Sequence, residues 1–220
     1  MSAPTMSFPF PPDNHDDSTE VDHDSALSCD AVQVILARVD IAKFVRRTAK
    51  ETAADVGFGW IATPEAPSTY QQLRGAYAAS LVTGQPLPIS SLNNESSVFI
   101  NAEDNIAFRF WHDVSHVRLG LSFALADELE LATWHLAQAE RAGFVPGSLG
   151  YRLLEADHVG QVLMQALGGR FPFHQEAFVL TYAQHGVGLG LLAELRRIPG
   201  LNEGSSHLVA THPNDNEANR

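Results

Sequence analysis

The chain has 220 residues, 45% of them hydrophobic, and a formal net charge of −12. That length supports a single buried core, and the acidic balance, with Lys43 and Lys50 as the only lysines and no basic stripe, excludes nucleic acid as a partner. Cys29 is the only cysteine, which excludes an internal disulfide and a thiolate zinc cluster, so any metal site has to use His, Asp and Glu.

Residues 1–30 hold seven acids (Asp13, Asp16, Asp17, Glu20, Asp22, Asp24, Asp30) and no Lys or Arg, beside a Pro-rich cluster at 8–12. We expect residues 1–28 to form a disordered acidic tail, because they bury too little apolar surface to fold. The start also lacks the basic and apolar regions of a signal peptide, and no apolar run is long enough to span a bilayer. The expectation is a cytoplasmic protein without membrane association. Residues 29–200 are expected to form one helical domain, followed by a flexible polar tail over 201–220.

Apolar residues at three- and four-residue spacing predict an amphipathic helix over 30–56. Its Ile35, Val39, Ile41 and Phe44 suit a partner helix as well as a core, which leaves a homodimer open. Residues 57–69 read as a loop, 70–84 as a shorter helix, and 85–105 as a long connector with two prolines. Three helices are expected over about 104–120, 122–142 and 148–168, the last stopping at Gly168 and Gly169, and a final one over about 172–197. Strand-like alternation is scarce. The predicted fold is all-α, a bundle of five to six helices. Its aromatics Trp111, Trp134, Tyr151 and Tyr182 read as core filler. The glycine-rich stretch at 185–190 follows no strand and lacks the Lys-Ser/Thr ending of a phosphate loop, so it implies no nucleotide.

The chemistry is densest in Phe108–Gly120, FRFWHDVSHVRLG. On a helical wheel Asn105, Arg109, His112, Asp113 and His116 fall within a stripe of roughly 100°. The rest of the circumference is apolar: Phe108, Phe110, Trp111, Val114, Val117 and Leu119. A helix greasy on most sides is buried, and its polar stripe must find partners inside the protein. In the next helix Asp127, Glu130, Gln138 and Arg141 gather on a solvated face, whereas Glu128 and His135 lie among Ala124, Leu125, Ala132, Leu136 and Ala139. In the following helix Glu155 shares a stripe with Val159, Val162 and Ala166, with His158 at its edge.

One inward histidine is satisfied by a backbone carbonyl, and one inward Glu–His pair by its own charge. Three carboxylates (Asp113, Glu128, Glu155) and four imidazoles (His112, His116, His135, His158) in one core are too many for that. A cation satisfies them together, holding carboxylates ionised and imidazoles neutral. Oxygen and nitrogen ligands without thiolate suit iron, manganese or zinc, and six or seven candidates match a two-metal site. Asp113 and Arg109 are the expected catalytic groups, with Arg109 and Asn105 placed to orient ligands or hold an anionic substrate.

Inward Glu-x-x-His pairs with extra carboxylates resemble the ferritin-like di-iron carboxylate proteins. Glu128-x6-His135 together with the 112–116 cluster resembles the haem-oxygenase-like di-iron oxidases more closely. The likeness covers residues 108–160. The order of motifs differs, the ligand helices are crowded into about fifty residues, and the first helix offers only Asp40 or Glu51. The resemblance implies two irons that activate dioxygen to oxidise a small organic substrate. A second reading starts from His112-Asp113-x-x-His116, the zincin pattern with Asp in place of Glu: a zinc hydrolase with Glu128 or Glu155 as third ligand and Asp113, one methylene short, as general base. The His-Asp doublet also resembles HD-domain phosphohydrolases, but the only upstream histidines, His15 and His23, lie in the acidic tail. A third reading is a metal-free helical scaffold whose buried polar network fixes helix register.

Overall fold

The computed structural model describes residues 23–92 and 98–197, with side chains from residue 31 onward. Of the expected N-terminal tail, residues 1–22 lie outside the described residues, whereas 23–28 are not tail but the start of the first helix, which begins seven residues before the expected one; the expected C-terminal tail over 201–220 lies outside the described residues. The helices are α1 (His23–Val56), α2 (Tyr70–Thr83), α3 (Ala102–Leu119), α4 (Leu125–Arg141), α5 (Leu149–Glu155), α6 (Gln161–Gly168), α7 (Gln175–His185) and α8 (Val187–Leu195). The architecture is the expected all-α bundle. Among the described residues no helix is long and apolar enough to cross a membrane.

Three local features depart from the sequence reading. The loop at 57–69 and the connector at 85–105 each contain a short strand, β1 (Trp60–Thr63) and β2 (Leu87–Ser90), paired in parallel with Trp60 opposite Leu87. Four residues are too few to show an alternating pattern, and Pro88 argues against a strand. The pair forms because Leu87 and Ile89 are fully buried and Trp60 stacks on Phe110 at 4.6 Å. The expected final helix is two: the chain turns at Gly186, whose φ of 86° suits glycine, and α8 folds back on α7. Gly190 permits that return, since a Cβ there would lie 2.9 Å from the Tyr182 Cα. The expected helix over 148–168 is continuous, but Ala156–Gly160 is π-helical between α5 and α6.

The core joins Ile41 and Val45 of α1, Phe110 and Val114 of α3, Leu153 and Leu154 of α5, and Phe178 and Val179 of α7. Burying each large apolar side chain contributes about 1.5–3 kcal/mol. The start of α3 is fixed to α1 by a polar contact. Asn101 caps the helix by accepting from the Asp104 amide at 2.9 Å, and the Asp104 carboxylate, wholly buried, receives the Arg46 guanidinium through two nitrogens. Beyond Asn101, α3 carries the polar stripe into the core.

Removing Arg46 would leave the Asp104 carboxylate buried without a countercharge. Arg46→Ala is expected to lower unfolding free energy in urea by roughly 2–3 kcal/mol, below the value for a fully buried pair because half of the arginine faces solvent. Arg118→Ala, which breaks the exposed pair with Asp55, should cost roughly 0–1 kcal/mol.

Candidate metal centre

The orientation of His116 comes from the end of its own helix. Gly120 adopts φ 72°, the Leu121 amide donates to the His116 carbonyl at 3.0 Å, and the Gly120 amide donates to the Val117 carbonyl, which is a Schellman stop. The turn brings the Leu121 carbonyl back over the helix, where it accepts from His116 Nδ1 at 3.0 Å. The ring is therefore clamped, wholly buried, with Nε2 pointing inward. His112, one turn earlier, meets it Nε2 to Nε2 at 2.9 Å.

Glu128, in the first turn of α4, completes the group. Its Oε1 lies 3.5 Å from His116 Nε2 and its Oε2 3.7 Å from His112 Nε2. The turn before it is held by Asp127, which accepts from the Ser122 amide and hydroxyl, and this bonding lowers the Asp127 pKa. Separations of 2.9 Å between the two nitrogens, and of 3.5 and 3.7 Å from each nitrogen to its nearer glutamate oxygen, fall within the span open to donors lying about 2.0–2.2 Å from a common cation. His112, His116 and Glu128 thus form a group able to hold a metal ion.

The group borders a cavity of about 760 Å³. Asn105, Arg109, His112 and Asp113 of the predicted stripe all line it, with Glu128, His135, Asp157 and His158. Burial pushes Asp113 up to about 7, against the pull of His116 and Arg109. Arg109 donates to the Ser90 carbonyl at 2.8 Å and the Leu92 carbonyl at 2.7 Å, so the end of β2 anchors it in the wall. Burial lowers its pKa, while Asp113 and Asp157 act in the opposite sense.

His135 and His158 surround the group. His135 Nε2 is 3.2 Å from His112 Nδ1, and its ring packs against Trp111 at 4.1 Å between centroids. His158 stacks on Phe108 at 4.7 Å. Among the described residues the Nδ1 atoms of both rings are buried without a hydrogen-bond partner, although Asp157 Oδ2 lies 3.5 Å from that of His158. Desolvation lowers the pKa of His112 and His135 far below the usual imidazole value, with neighbouring cationic groups adding to it. Both rings are neutral.

Glu155 does not join them. It is absent from the cavity wall, and its charge acts instead on Tyr151 and Tyr182, adding to the burial that pushes Tyr182 up to about 12. The π turn explains the error. One extra residue in the turn rotates the succeeding residues by roughly 100° relative to a uniform wheel, and it places the adjacent Asp157 and His158 on the same cavity. Asp157, whose Oδ1 accepts from Gln161 Nε2 at 2.7 Å, was missed from the sequence. Its one signal was adjacency to a candidate histidine. The sequence matches no family model, and no curated protein or solved structure is significantly similar to it.

Asp113 supplies a pH test in metal-free protein. Below about pH 4 its carboxyl is protonated both folded and unfolded; between about 4 and 7 only the folded chain keeps the proton, so the folded state loses relative stability as pH rises, until Asp113 ionises near 7. The stability gained by Asp113→Asn should therefore grow from pH 4 to 7 and level off above. A pH-independent difference in urea melts would contradict this placement.

Proposed function

We propose that His112, His116 and Glu128 bind one divalent metal ion of the zinc type, and that the protein is a metal-dependent hydrolase of a small polar substrate. The observation that carries this reading is the convergence of two imidazoles and one carboxylate on a point that borders a cavity. Three protein ligands with an open side mark a catalytic site rather than a structural one. An ion held there supplies Lewis acidity and lowers the pKa of water.

The chain's own groups fit the remaining roles. Asp113 follows His112 as the base follows the first ligand in the zincin pattern, and it lines the same cavity, ready to accept a proton. Arg109, one turn before Asp113, offers positive charge to an anionic or carbonyl group of the substrate. The aromatic rings of Phe99, Phe108 and Phe123 supply apolar surface, and Gln161 and Gln165 supply amides.

One observation favours the di-iron oxidase as a second reading. Asp157 and His158 offer a carboxylate and an unpartnered imidazole nitrogen in the same cavity, more ligands than one zinc needs. In that case two irons would act on a small substrate with dioxygen.

Metal analysis separates the two. Protein reconstituted with zinc and iron in competition should retain about one zinc per chain and hydrolyse members of an ester, amide and phosphoester panel, with the activity lost on chelation. Two irons per chain with dioxygen uptake would reverse the choice. His116→Ala and Glu128→Ala should each weaken metal binding at least about tenfold, whereas Glu130→Ala, on the exposed face of the same helix, should leave it unchanged. Equal metal content in all three variants would remove the site.

A further inference from the structure

On the reading that His112, His116 and Glu128 hold the metal, the hydrogen-bond partners of the imidazoles determine where their protons sit. His116 Nδ1 faces the Leu121 carbonyl oxygen, so it carries a proton, and in the neutral ring that a metal takes Nε2 is left with the lone pair. In the metal-free chain that lone pair faces His112 Nε2 at 2.9 Å, and His112 Nε2 must therefore be the donor. A neutral His112 then has its lone pair on Nδ1, 3.2 Å from His135 Nε2, which donates in turn. His135 is left with a bare Nδ1, and this atom is buried without a hydrogen-bond partner among the described residues. One backbone carbonyl thus sets three tautomers in series.

A cation on the group needs the Nε2 lone pairs of His112 and His116 together. His116 already presents its own. His112 does so only if its proton moves from Nε2 to Nδ1, and a protonated Nδ1 requires His135 Nε2 to become an acceptor. We propose that His135 is a positioning residue rather than a ligand, and that metal binding shifts both His112 and His135 from the Nε2–H to the Nδ1–H tautomer. The His135 Nε2 proton passes to His112 Nδ1 across their contact, the His112 Nε2 proton leaves to water in the cavity that both rings line, and His135 Nδ1 takes one up from it, so both imidazoles stay neutral with no net release. Contacts with Trp111 at 4.1 Å, Trp134 at 5.2 Å and Phe108 at 5.6 Å between ring centroids hold His135 in the plane this requires. An ordered partner on His112 fixes both the nitrogen that faces the metal and the direction of its lone pair.

The test uses the full chain with zinc alone. In nitrogen-15 spectra of the imidazoles, His112 and His135 should change from Nε2–H to Nδ1–H on zinc loading, while His116 keeps its Nδ1 proton. Zinc affinity should fall about 10–100-fold in His135→Leu and stay within a few-fold of wild type in His135→Gln, whose amide can accept from or donate to His112 Nδ1. A zinc-bound nitrogen signal from His135 would make it a ligand and overturn the proposal. Unchanged affinity in His135→Leu, with wild type binding zinc, would overturn it alone. If wild type binds no zinc, the metal reading fails and this inference fails with it.

Discussion

Four imidazoles packed in mutual contact cannot all be charged, and the site depends on that constraint. His112, His116, His135 and His158 lie within ring-centroid distances of 4.5 to 5.5 Å along the chain of contacts, and His116, His135 and His158 are almost wholly removed from water. Burial and mutual repulsion remove the proton from His112 and His135. Neutral imidazole is a donor on one nitrogen and a lone pair on the other, so each ring must face something different on its two sides. Inward-facing lone pairs beside a carboxylate are the donor set that a transition metal takes.

The fold supplies the directions. The glycine stop after α3 turns the Leu121 carbonyl onto His116, the Ser122–Asp127 contact sets the first turn of α4 and hence Glu128, the end of β2 anchors Arg109, and the π turn brings Asp157 and His158 round to the cavity. Each device is local and is built on elements already fixed by apolar packing. The arrangement has a cost. Among the described residues two buried imidazole nitrogens lack hydrogen-bond partners, and leaving a buried polar atom unsatisfied costs about 1–3 kcal/mol. A core selected for stability alone would not keep them, which is why the cluster reads as functional.

Much of this was legible in the sequence because α3 and α4 are regular. A uniform wheel placed Asn105, Arg109, His112 and Asp113 on one stripe, and all line one cavity; on α4 it separated Glu128 from the exposed Glu130. It failed where regularity fails. The π turn exchanged Glu155 for Asp157, and no local residue type announces such a turn. The strand pair was invisible because its pattern is short and its stability comes from Trp60 on Phe110, a contact between residues fifty apart. The break at Gly186 was present in the glycine-rich stretch, but the tolerance of helices for glycine hid it. The wheel also grouped four histidines as equivalent ligands; only the distances between ring nitrogens separate His112 and His116, which face Glu128, from His135, which faces His112.

The central claim is a single metal ion on two imidazoles and one carboxylate. X-ray absorption spectroscopy of the zinc-loaded protein tests it most directly, because it counts ligands without reference to activity. The account predicts a shell of nitrogen and oxygen at about 2.0–2.2 Å, with multiple scattering from two imidazoles and no metal–metal vector. Scattering from three or more imidazoles, or a second metal within about 4 Å, would contradict it.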